Sequence, residues 1–202
     1  MVGYPPGWEK ISNHAQNVND GASACFKDMA SVNRFAARYR VAKLYTSCSF
    51  EGMTPLLSDG YSALMQVMLV YSAFEFWLKA IGLKKSQSHT LLRVHDTEAW
   101  AGEIRRIDPQ MTMYKHCLNF LNSKHQNEIK KFIKSEPFNY ICLAASIRHS
   151  FAHGFLSPNG GGADPECVKA ICSKVTNTMM IIIDSSFRER IELLCEEMES
   201  LK

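Results

Sequence analysis

Between residues 22 and 48 the chain carries neither Gly nor Pro, and Phe26, Met29, Phe35, Tyr39, Ala42 and Tyr45 recur at the spacing of one helix face. The pattern predicts a helix there, broken by Gly52 and Pro55. A second helix is expected from an N-cap at Asp59 to a stop at Gly82. It is apolar on nearly every side, from Leu64 and Val67 through Phe74 to Leu78, as in a helix at the centre of a core or between a core and a partner chain. Two amphipathic segments follow near 90–107 and 111–133, the second with room for a break at Ser123. Pro137 suits the first turn of a helix carrying Phe138, Ile141, Leu143, Ile147 and Phe151, which ends near Gly154. Residues 157–163 (SPNGGGA) read as the most flexible stretch, and Asp164-Pro165-Glu166 is a strong helix start. The last helix then runs almost to the C-terminus, with room for a bend near Asp184 and a solvated acidic end at Glu189, Glu192, Glu196, Glu197 and Glu199. Residues 1–21, with Pro5, Pro6 and Gly7, read as an irregular lead-in. Neither strand-like alternation nor a repeat is visible. The expected fold is all-α, a helical bundle forming one domain over 22–202.

Composition changes this picture little. The 202 residues are 46% hydrophobic and 21% charged, which is ordinary for a globular chain and excludes a disordered one. With 11 Gly and 7 Pro, collagen-like and linker-dominated architectures are excluded as well. No apolar run approaches the roughly 18 residues of a membrane span, and the N-terminus lacks a basic segment followed by an apolar core. A soluble cytoplasmic protein without membrane contact is expected. The formal charge of +3 neither identifies nor opposes a nucleic-acid binder. Seven cysteines, an odd number with no CxxC pair, suggest neither a zinc knuckle nor a disulfide framework, and read as small buried hydrophobes in a reducing compartment.

The chemistry concentrates in 137–163, where Arg148 is the only Lys, Arg, Asp or Glu. A guanidinium in apolar surroundings needs compensation, because it cannot shed its charge. Two readings are open. Arg148 bonds a core carbonyl or carboxylate, or, with His149 beside it and His153 five residues on, it serves a site that binds and cleaves a phosphodiester. His149 and His153 share a helix face, yet a zinc hydrolase helix needs Glu where Ser150 stands, and a third ligand is missing from the pattern. No metal or cofactor is therefore expected. The Gly160–Gly162 run lacks the Lys-Ser/Thr of a phosphate loop and reads as a hinge or a mobile flap near Arg148. Lys124, Lys130, Lys131 and Lys134, like Arg34, Arg38, Arg40 and Lys43, suit either an RNA backbone or a solvated helix face, and the solvated face is preferred. Trp77 and Trp100 are core candidates before they are stacking platforms.

The run Arg148-His149-Ser150-Phe151-Ala152-His153-Gly154 resembles the R-x4-6-H motif of the HEPN superfamily, with a polar residue after the Arg and Gly after the His. The segment from Tyr71 to Lys79, with Glu75 among apolar residues, is similar to the family's earlier core helix. The resemblance covers roughly 59–199. It implies a four-helix up-and-down bundle with additional N-terminal and connecting helices, usually dimeric, and often a metal-independent ribonuclease in a toxin, defence or stress-response role. The implied partners are RNA, a second copy of the chain and a cognate antitoxin or inhibitor. In such enzymes the RNA's own 2′-OH attacks the adjacent phosphate. Carried over, His153 is the general base or acid, Arg148 holds the phosphate, and His149 is a secondary polar contact. Glu75 is a candidate to orient Arg148 or His153, or else pairs with Lys79 on the surface. On an ideal helix Arg148 and His153 diverge by roughly 140° about the axis, so one phosphate meets both only if the helix opens near Gly154 or two motifs combine across a dimer. Two further classes stay open: a silent HEPN-like module that binds RNA, a nucleotide or a protein, and an unrelated bundle in which Arg148 is structural.

Overall fold

The computed structural model describes residues 2–15, 18 and 25–200, and these are helical, with no strand among them. Helix α1 spans Trp8–Asn13, α2 Met29–Leu44, α3 Pro55–Ala80, α4 Thr97–Ile107, α5 Thr112–Leu118, α6 Ser123–Ile133, α7 Ile141–Ala152 and α8 Pro165–Ser200. Short 3₁₀ segments at Lys85–Leu92 and Gly160–Gly162 join them.

Caps decide where the elements start. Asp28 accepts from the Ser31 amide at 2.6 Å and fixes the start of α2, later than the apolar pattern suggested; residues 22–24 of that expectation lie outside the described residues. At the other end Tyr45 turns extended (φ −66°, ψ 125°), so α2 stops before Cys48. Thr54 caps α3, and Pro55, read as a breaker, occupies its first turn, where a missing N–H costs nothing. Asp59 is therefore not a cap; it lies inside α3 and pairs with Lys169 of α8 at 2.6 Å. The stop at Gly82 falls as expected: its φ is 71°, and the Leu83 amide reaches back to the Leu78 carbonyl at 2.8 Å.

The segment expected at 90–107 divides into the 85–92 turn and an Asp96-capped α4. The break near Ser123 is present, with Asn122 capping α6. Pro137 does not open α7. Instead Glu128 accepts from the Asn139 amide at 2.6 Å, and Asn139 Oδ1 accepts from Ile141, so the 137–140 linker is tied to α6 and the helix begins afterwards. Helix α8 starts at Asp164-Pro165 as read, and is helical without interruption through Asp184. Asp184 Oδ1 accepts from the Tyr39 hydroxyl at 2.6 Å, and its burial pushes the carboxyl pKa up. Within the lead-in, α1 buries Trp8 and Ile11 and contacts α8.

Helix α3 is central and packs most extensively on α2 and α8. Where the three meet, Trp77 is fully buried, its ring 4.9 Å from Phe35 and 5.5 Å from Phe187, and its indole N–H donates to Ser186 Oγ at 3.1 Å. Helix α7 packs against α3, α6 and α8. A single buried apolar cluster runs through the bundle. Among the described residues no single helix is long and apolar enough to cross a membrane. Cys48, Cys117, Cys142, Cys167, Cys172 and Cys195 are free thiols.

Residues 157–163, expected to be the loosest, form a 3₁₀ turn against His116 of α5. Gly161 is left-handed (φ 64°), and a Cβ there would lie 2.3 Å from the His116 ring, so this approach requires glycine.

Candidate functional site

Helix α7 turns Leu143, Ala144 and Ile147 into the core, which leaves Arg148 and His149 half-buried at its edge. There α3, the 85–92 turn, α6 and α7 enclose a cavity of about 420 Å³. Its wall takes Tyr71 and Glu75 from α3, Lys85 and His89 from the turn, Lys124, His125 and Glu128 from α6, and Cys142, Arg148 and His149 from α7.

The charges here are unequally matched. Glu75 is ion-paired with Lys85, so it pairs with none of Lys79, Arg148 or His153; the Lys79 ammonium lies over the Phe76 ring at 4.5 Å. Glu128 accepts from Lys131 at 2.8 Å and from the Asn139 amide. Burial raises its carboxyl pKa, but those two donors outweigh it and hold the group below the usual carboxylate range. Among the described residues, neither Arg148 nor Lys124 has a side-chain hydrogen bond or ion pair. Two cations thus face a cavity whose carboxylates are already engaged. Such a wall is suited electrostatically to an anion, and a guanidinium offers a planar fork matched to phosphate.

Imidazoles adjoin the guanidinium. His149 lines the cavity and places Nε2 3.1 Å from the Phe120 carbonyl. A carbonyl only accepts, so Nε2 carries the proton and Nδ1 of neutral His149 is left as a base. His125 shares the cavity; burial lowers its pKa first, and His149, Lys124 and Lys85 lower it further. His153 lies outside the lining. It is the exposed C-cap of α7 (φ −95°, ψ 6°), with its ring 4.5 Å from that of His149 and 6.2 Å from Phe155, which stacks on Phe120 at 4.3 Å. Because α7 stays helical to Ala152, Arg148, His149 and Glu75 share one cavity while His153 meets it only through His149.

His125, His89 and Lys85 went unmarked in the sequence. They reach Arg148 through tertiary folding, and no local spacing announces that; Lys124 is visible in the sequence, where a solvated helix face is the preferred reading over an RNA contact. Burial pushes the Cys142 thiol up to about 11, which disfavours the thiolate a nucleophile needs. Among the described residues no three His, Cys, Asp or Glu side chains are grouped to hold a metal ion.

Two half-buried histidines also give the fold a pH dependence. His95, like His125, has its pKa lowered by burial. The unfolded chain therefore takes up protons near the ordinary value of 6.5 before the native state does, so stability is intact above that pH and falls as the pH drops below it. Melting at pH 7.5 and at pH 5.5 is expected to show a lower Tm under acid, and His95→Gln with His125→Gln should shrink the difference. An acid loss of full size in the double variant would remove these two groups as its cause.

The fold is an all-α helical bundle, and the cavity at its edge is walled by three cationic side chains and two carboxylates. In comparison with known proteins, the chain matches no family model, no curated protein and no solved structure.

Proposed function

We propose that the chain is a metal-independent RNA endonuclease of HEPN type. One observation carries the reading: a guanidinium with no hydrogen-bond or ion-pair partner among the described residues, in a cavity wall beside a histidine whose Nε2 faces a carbonyl. Arg148 takes the non-bridging oxygens of the scissile phosphate and stabilises the charge that builds on them. The RNA 2′-OH attacks phosphorus while an imidazole removes its proton. The bond from phosphorus to the 5′-oxygen breaks, and that oxygen takes a proton from a second imidazole, leaving a 2′,3′-cyclic phosphate. His149 and His153, with adjoining rings, are the residues for these transfers. In this reading a four-helix up-and-down core lies within about 59–199, with α1, α2 and the connecting helices among α3–α8 as additions. A homodimer that pairs two motifs across its interface accounts for an exposed His153 beside the cavity. A toxin or defence role with a cognate inhibitor follows from the same resemblance.

A second reading is a silent module that binds RNA or a nucleotide through Arg148. The placement of His153 outside the cavity favours it. The test is cleavage of total cellular RNA with EDTA present, wild type against His153→Ala. Cleavage that survives EDTA, leaves 2′,3′-cyclic ends and disappears in the variant supports the nuclease. A folded wild type that binds RNA and leaves it intact supports the binding module instead.

A further inference from the structure

The Arg148 cavity does not end at α6. A second, open cavity of about 370 Å³ adjoins it, and Lys124 and Glu128 form walls of both. Along the second, Lys124, Asn127, Lys131 and Lys134 follow at three- and four-residue spacing, one face of α6 and its C-cap, with exposed Lys130 at the margin.

We infer that the two cavities form one track for a single polynucleotide strand, entering at Arg148 and running along the lysines of α6. This rests on the reading of the Arg148 cavity as a phosphate site. The charge balance supports it. The joined walls hold six cationic side chains and three carboxylates, a formal excess of three, equal to the +3 of the entire chain. The other charged residues of the chain, 17 cations against 17 carboxylates, sum to zero. Two of the three carboxylates, Glu75 and Glu128, are already paired with lysines of the same walls. Dimensions fit as well. From Lys124 to Lys134 the helix rises about 15 Å, which spans roughly four nucleotides of a stacked strand. A cavity of about 420 Å³ around Arg148 has room for a nucleotide already out of its stack, whereas a base in a duplex must first be flipped out to enter. The track thus selects single strands and takes several nucleotides, not one.

The test is binding of a single strand of about twelve 2′-O-methyl nucleotides, which carry no attacking hydroxyl, to the full chain over a salt series with EDTA present. Lys130→Gln with Lys134→Gln removes two exposed cations that lie outside the Arg148 cavity. The slope of log affinity against log salt is expected to become shallower by about 1.4, about 0.7 for each lost phosphate contact, with at least about tenfold weaker binding at low salt. Binding of a dinucleotide should be unchanged in that variant and lost in Arg148→Ala. A wild-type slope in the lysine variant overturns the track, as does a duplex of equal length that binds as tightly as the single strand. Dinucleotide binding that ignores Arg148→Ala overturns the underlying phosphate site instead, so the two failures are separable.

Discussion

Arg148→Ala is expected to lower RNA cleavage by about 10²–10³-fold, the loss typical when one preorganised donor to a developing oxyanion is removed, while leaving the fold intact. The second half of that expectation comes from the structure. Among the described residues Arg148 holds no carbonyl or carboxylate, so its removal strands no buried partner. The stability change should stay within about 1 kcal/mol, the packing lost with a half-buried aliphatic stem. Cleavage with EDTA present and a thermal melt of the same preparation read the two halves together. Arg148→Lys keeps the charge and loses the fork, and should fall between wild type and Ala. Full activity in Arg148→Ala removes the site assignment. A collapsed Tm with activity lost would instead make the guanidinium a structural group and return the chain to the class of unrelated bundles.

Trp77→Ala should have the largest effect on stability, about 3–5 kcal/mol. The indole is fully buried where α2, α3 and α8 converge, against Phe26, Phe35 and Phe187, and its N–H is bonded to Ser186. Truncation loses the transfer energy of the ring, leaves a cavity and deprives the Ser186 hydroxyl of its donor. Against a total of about 5–15 kcal/mol, that is enough to move the denaturant midpoint far down. Trp77→Phe keeps most of the volume and should cost less than half as much. Urea unfolding of the three proteins checks both figures, and a loss under about 1 kcal/mol for Trp77→Ala would mean that this junction is not the core of the bundle.

Much of the bundle was legible because its signals are local. The Gly82 stop, the break before Ser123 and the start at Asp164-Pro165 each depend on a cap or a left-handed glycine a few residues away. The starts of α3 and α7 differ from the sequence expectation for different reasons. Thr54-Pro55 and Asp59 both announce an N-terminus, and the earlier one prevails because proline suits a first turn. At Pro137 the outcome lies with Glu128 on another helix, which holds the Asn139 amide and keeps the linker from becoming α7. The site shows the same division. A lone Arg in an apolar helix was conspicuous, and with it His149. The partners of Glu75 and the imidazole of His125 are set by a turn that folds back across α3 and by the packing of α6 beside α7, neither of which leaves a trace in spacing. The glycines at 160–162 read as a hinge in sequence because glycine permits freedom; in the fold Gly161 also permits contact with His116.

The central position of α3 has a consequence for synthesis. Trp77 leaves the ribosome 109 residues before Ser186, the residue its indole must find. At about 5–20 residues per second, the nascent α2–α3 pair spends on the order of 5–20 s with its apolar flank uncovered. Over that interval the surface that will form the core is open to chaperones and to neighbouring chains, and emergence of α8 is the event that closes it.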